Sequence, residues 1–180
     1  MIQFARKTVF SGDRVYRYTL WRSWGDPNCP FAMFVGLNPS TADETHDDPT
    51  VRRCIRFAKD WAYGAMCMTN IFAFRATYPK DVRIEGNPIG PNNDQWLIKC
   101  ASRARIVIAC WGTHGSYLNR GRSVLRILPP MSCLGITKEG YPRHPLYIRA
   151  SMKPVPFTIV PSKPDKPAKP KEVFDVHRKR

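Results

Sequence analysis

Acidic residues are scarce in this 180-residue sequence. Asp and Glu number 14 against 29 Lys and Arg, a net charge of +15 at pH 7. An excess of that size disfavours polycationic partners and favours a polyanion, above all nucleic acid. Long apolar runs are also missing. No stretch of eighteen apolar residues occurs, so no membrane-spanning helix is expected. The stretch from Met1 to Phe10 lacks the apolar core of a secretory signal. The six cysteines, Cys29, Cys54, Cys67, Cys100, Cys110 and Cys133, form no C-x-x-C pair and no zinc or iron–sulfur spacing. Several lie in apolar runs, where a free thiol behaves as a small hydrophobe, as in a reducing cytoplasm. There is no Gly-rich phosphate loop and no Ser/His/Asp order. No metal and no cofactor is therefore expected.

What is present suits a folded chain. Apolar residues make up 43% and aromatics 12%, enough for a core without disulfides. At ~150 residues per domain the length predicts one domain with a short tail. The composition changes at Ser151, where Pro154, Pro156, Pro161, Pro164, Pro167 and Pro170 alternate with lysines. Proline at that density predicts an extended polyproline-like tail over 151–180 and a folded unit over 1–150. The tail carries eight Lys and Arg against three acids. It reads either as a solubilising extension or as an electrostatic arm on a nucleic-acid backbone.

Within the folded unit, strands and helices alternate. Val15–Arg22 alternates as a half-buried strand. Phe31–Val35, Ala65–Thr69, Arg105–Trp111 and Met131–Ile136 read as short buried strands. Pro49–Ala62 has helical spacing, with Asp48 as cap and Pro49 in the first turn. A second helix starts at Asn92 or Asn93, and a third is predicted over Ser116–Leu128. This order predicts an α/β fold, a three-layer α/β/α sandwich around a central, mainly parallel sheet.

In such sheets ligands bind beyond the carboxyl ends of the strands. Each strand end here offers a polar group: Asn38, Asn70, His114 and His144. Taken singly, each has a structural reading, as a turn residue, a cap or a surface histidine. Arg52, Arg53, Arg75 and Arg143 read either as solvated surface or as contacts to DNA phosphates. The segment Asp43-Glu44-Thr45-His46-Asp47-Asp48 is the one dense acidic patch. Asp48 caps the helix in one reading. In the other, Asp47 or Asp48 meets an amine or hydroxyl of the ligand, or activates water.

Four runs carry a resemblance: Gly36-Leu37-Asn38-Pro39-Ser40-Thr41-Ala42-Asp43-Glu44, Asp47-Asp48-Pro49-Thr50-Val51-Arg52-Arg53, Met68-Thr69-Asn70-Ile71-Phe72-Ala73-Phe74-Arg75 and His144-Pro145-Leu146-Tyr147. Over most of residues 14–149 the chain resembles the bacterial and phage domain-of-unknown-function family 1643. More distantly, the same motifs in the same order resemble the uracil-DNA glycosylase superfamily. That likeness implies a glycosylase-like fold and hydrolysis of the N-glycosidic bond of a uracil-like or modified pyrimidine. The base is flipped from DNA first. It implies that Asn38 holds the attacking water, that His144 stabilises the departing base and that Asn70 reads the base edge. Gly36, Leu37, Pro39 and Ser40 form the water loop, and Phe72 follows the base-reading strand. The base-stacking aromatic of one branch falls on Thr50. Two further functions remain open. One is an enzyme that alters phage-type modified bases without excising them. The other is a non-catalytic nucleic-acid module in defence or counter-defence.

Overall fold

The computed structural model describes residues 5–26 and 28–158. Seven strands form one sheet in the order β1-β2-β4-β3-β5-β6-β7. Its centre is β3 (Phe31–Gly36), with β4 (Ala65–Asn70) and β5 (Ile106–Ala109) parallel on either side. Next to β5 lies β6 (Met131–Cys133), also parallel. These strands are nearly continuous apolar runs because both of their faces are covered. Alternate side chains enter two cores. Ala32 and Phe34 pack with Val51, Cys54, Phe57 and Ala58 of α1 (Pro49–Asp60). Met33 and Val35 pack on the other face with Leu97 and Cys100 of α3 (Asn93–Ala101) and Val124 of α4 (Arg120–Ile127). Each large apolar side chain buried in this way contributes about 1.5–3 kcal/mol.

Helix α1 starts as its sequence predicts. The Asp48 carboxylate accepts from the Val51 N–H at 2.8 Å, and proline occupies the first turn. This satisfies a backbone donor that the helix cannot satisfy itself. It also fixes Asp48 at the end of the loop that leaves β3.

The sheet is mixed, where a mainly parallel one was expected. Three strand pairings are parallel and three antiparallel. The antiparallel ones lie outside the parallel centre. At one side β2 (Arg17–Ser23) pairs with β4, and β1 (Ala5–Phe10) pairs with β2. The first residues of β1 are exposed, so backbone pairing holds the strand and its sequence has no burial pattern to reveal it. With neighbours on both sides, β2 is an interior strand, and Arg17, Tyr18, Thr19 and Leu20 are all buried. The half-buried alternation expected there is thus corrected.

At the other side β7 (Val155–Phe157) pairs with β6. It lies in the segment expected to be tail. Pro156 is tolerated because β7 is an edge strand and its missing N–H faces no partner strand. Phe157 is buried, its ring 6.0 Å from that of Trp111. The prolines and lysines from Pro161 onward lie outside the described residues.

Two further expectations shift. Helix was predicted over Ser116–Leu128. Thr113–Asn119 is instead a kinked 3₁₀ segment, with Leu118 at φ 52° and Asn119 at φ 53°. Left-handed residues end a regular helix, so α4 begins only at Arg120. A one-turn helix, α2 (Pro79–Val82), was not anticipated. Among the described residues no helix is long and apolar enough to cross a membrane. All six cysteines are unpaired; five are buried and Cys29 is exposed.

Candidate functional site

A cavity of about 600 Å³ opens where β3, β4 and β5 end. Its walls bring together Asn38 and Asn70 with Asp48 and His144, from four separated parts of the chain. Gly36, Leu37, Ser40, Thr50 and Arg143 line it as well.

Asn38 follows β3 by two residues. Its side-chain nitrogen donates to the Ala76 carbonyl at 2.7 Å and the Pro39 carbonyl at 3.0 Å. Two acceptors on the nitrogen fix the amide orientation. The oxygen, which accepts no hydrogen bond among the described residues, is left to hold a ligand or a water.

Asn70 ends β4 and is buried. Its side-chain oxygen faces Arg17 Nη2 at 3.3 Å. A guanidinium only donates, so the amide cannot turn round, and Nδ2 remains a donor. The register pairs Gly36 with Asn70 across the parallel strands. A Cβ at position 36 would lie 2.8 Å from Asn70 Nδ2 and 2.7 Å from Met68 Cε. A Cβ there would push aside the flexible Met68 methyl and the Asn70 amide, which Arg17 holds in place. Gly36→Ala is expected to displace the Asn70 amide and to weaken ligand binding about tenfold or more. Titration of bound ligand beside a thermal melt separates this from a loss of fold.

His144 precedes the 3₁₀ turn Pro145–Tyr147. Its Nδ1 accepts from the Leu146 N–H at 3.4 Å. In the neutral ring the proton is therefore on Nε2, which is a donor. Burial lowers the pKa of His144 below the ordinary 6.5, and the charge of Asp48 opposes the shift. The ring is therefore neutral at pH 7.

Other expected residues sit elsewhere. Pro39 is buried behind the loop, where its carbonyl accepts from Ala76 N at 2.9 Å. Phe72 belongs to the core and packs near Tyr117, 5.8 Å between rings. Arg53 bonds the Ile148 carbonyl, and its guanidinium lies 4.8 Å from the centre of the Phe57 ring. It fastens α1 to the segment after His144. Arg52 is exposed and bonds the Asp47 carbonyl. Arg75 stands beside a neighbouring groove with Arg14, both guanidinium groups over the Phe10 ring.

The acidic patch divides by role. Asp47 accepts from Arg22 and Arg6, and Glu44 pairs with Arg14 at 2.8 Å. Asp43 accepts from the Thr45 and His46 N–H groups, which hold its carboxyl well below the usual range. Asp48 alone of the patch lines the cavity, and it is a helix cap at the same time.

Sequence reasoning missed Arg17, Trp111 and Tyr147, which line the cavity too. Trp111 is buried, held against Gly121, where a Cβ would meet its Nε1 at 2.9 Å. Tyr147 is 77% exposed, with its ring 5.8 Å from that of His144. An aromatic three residues after a strand-end histidine was the available signal. Arg17 had none, because its side-chain partners, Ala42 and Asn70, are distant in the sequence.

A family model described as "Protein of unknown function (DUF1643)" matches residues 17–146. No curated protein and no solved structure matches the chain.

Proposed function

We propose that this chain, which belongs to the DUF1643 family, processes bases in DNA, hydrolysing the N-glycosidic bond of a flipped uracil-like or modified pyrimidine. The observation that carries this reading is the convergence of Asn38, Asn70 and His144 on one cavity at the strand ends. A glycosylase-type arrangement of the fold is part of the proposal, supported by the parallel centre β4-β3-β5-β6 and the order of its loops.

In this reading the target base enters the cavity from outside the stack, at a cost of a few kcal/mol. Asn38 Oδ1 holds a water below the sugar. The water oxygen bonds to the sugar C1′ as the C1′–N bond breaks. Both bonding electrons stay on the base, and the water's spare proton passes to solvent, since an amide cannot accept it. Negative charge spreads to the oxygens of the leaving ring. His144 Nε2–H donates to one of them, and Asn70 Nδ2–H donates to another. Tyr147 supplies the flat surface that Thr50 does not. Arg143 at the mouth and Arg14 with Arg75 in the next groove meet flanking phosphates. A cytoplasmic setting fits the six free thiols.

The test is an abasic-site assay on oligonucleotides bearing uracil, hypoxanthine, 5-hydroxymethyluracil and bulkier phage-type bases. Alkali-labile breaks are expected, with a rate about 10- to 100-fold lower in Asn38→Ala. The reduction is modest because Asn38 orients water without taking its proton. Breaks of equal rate in the variant would refute the assigned role.

A second reading has its own support. The cavity is larger than a pyrimidine ring needs, and Asp48, one oxygen of which caps α1, lines it with a second oxygen that can accept from an amine or hydroxyl substituent. An enzyme that alters a bulky base without excision leaves a mass change on the base and an intact strand after alkali.

A further inference from the structure

One wall of the cavity holds a cation that has no anionic partner among the described residues. Arg17, the first residue of β2, is 2% exposed. Its Nη1 donates to the Ala42 carbonyl at 2.8 Å and its Nη2 to the Asn70 amide oxygen at 3.3 Å. Both acceptors are neutral. Its Nε is buried and has no partner among the described residues. Five residues further along the same strand, the equally buried Arg22 is paired with Asp47 at 2.7 Å. The same fold thus neutralises one buried guanidinium and leaves the other, in the cavity wall, with neutral acceptors alone among the described residues.

Burial draws the pKa of Arg17 down to about 10, opposed by the more distant charge of Asp48. The group stays ionised at neutral pH. A buried ion without a counter-ion is destabilising, and a ligand that brings the missing charge relieves the cost. The other polar groups beside it narrow the ligand. Asn70 is held by Arg17 so that Nδ2 donates, and His144 offers an N–H as well. Leu37, Val51, Met68 and Trp111 give apolar walls suited to a flat ring. Asp48 lies in the same cavity and opposes a second or localised negative charge, as on phosphate.

We infer that Arg17 and Asn70 make this end of the cavity a receptor for an anionic ring oxygen, so that the protein takes an acidic oxo-heterocycle in preference to a neutral one. The choice of a ring rests on the base-processing reading; the preference for charge does not. In that reading the departing base is itself such an anion, and Arg17 favours it over the uncharged base still joined to sugar.

Calorimetric titration of the full chain at neutral pH tests this with three probes: uracil, which is neutral; barbiturate, an anionic oxo-pyrimidine; and inorganic phosphate. Barbiturate is expected to bind about tenfold or more tightly than uracil. Arg17→Met abolishes the preference, and Arg17→Lys keeps part of it. Because Arg17→Met also unpairs the Ala42 carbonyl, a second variant guards the result. Asn70→Asp sets a carboxylate against Arg17 and supplies the counter-ion from within. It is expected to melt no lower than the parent protein and to lose the preference.

Equal affinities for uracil and barbiturate overturn the inference, as does the absence of binding by either ring. A preference that survives in folded Arg17→Met or Asn70→Asp also overturns it. Phosphate that displaces barbiturate in an Arg17-dependent manner overturns the assignment to a ring. If no DNA substrate is cleaved while barbiturate selectivity stands, the proposed excision fails and the charge receptor survives.

Discussion

Replacing His144 by alanine is expected to slow base release by about 10²- to 10³-fold, the usual effect of removing one donor aimed at developing charge. The argument rests on the tautomer. Leu146 N–H occupies Nδ1, so Nε2 carries the proton, the one assigned to the departing ring in the proposed reaction. The neutral base needs that donor little, and the ring anion needs it strongly. The loss should therefore fall on kcat with little change in KM. His144→Gln, which keeps an N–H, is expected to recover part of the rate. Because burial lowers the His144 pKa, the neutral ring persists through pH 7 and protonates only below the ordinary 6.5. A rate profile flat across neutral pH follows, with any change from this ring on the acid side. Single-turnover rates against pH check it. An inflection above 6.5 that vanishes in His144→Ala would sink the assignment.

Asp47→Ala is expected to destabilise the fold by about 3–5 kcal/mol, the range for breaking a buried ion pair at one partner. Arg22 has a fully buried side chain; Asp47 accepts from its Nε at 2.8 Å and forms an ion pair with its Nη2 at 2.7 Å. The same carboxylate accepts from Arg6 of β1 at 3.0 Å. Arg22 also donates to the Asp43 carbonyl at 2.6 Å. One aspartate thus fastens the acidic loop across β2 and holds β1 to it, which in turn sets Asp48 at the cavity. Urea unfolding measures the loss. Removing Arg22 as well, as Arg22→Met in the Asp47→Ala protein, should restore part of it, because the unpaired charge is then gone. A loss below about 1 kcal/mol would show that the pair acts like a surface one.

Much of the parallel centre was legible. β3 and β5 are apolar runs ended by turn residues, and α1 advertises itself through Asp48, Pro49 and the spacing of Val51, Cys54 and Ala58. Asn38, Asn70 and His144 stand out because each ends or follows a recognisable segment. What stayed hidden depends on long-range pairing. β1 is charged and exposed, so nothing local marks it as a strand. Without β1, the interior position of β2 is invisible, and Arg17 looks like the wet side of an amphipathic strand. The inward turn of Arg53 needs Ile148, nearly a hundred residues away. The late start of α4 depends on two left-handed residues, Leu118 and Asn119, neither of which is glycine.

The lone exposed thiol has a practical consequence. Cys29 lies just before β3, at the amino ends of the parallel strands, while the cavity opens at their carboxyl ends. A maleimide dye therefore meets one accessible sulfur, on the side of the sheet away from the ligand. Attachment there gives a uniform handle for anisotropy or single-molecule tethering that leaves the mouth of the cavity uncovered.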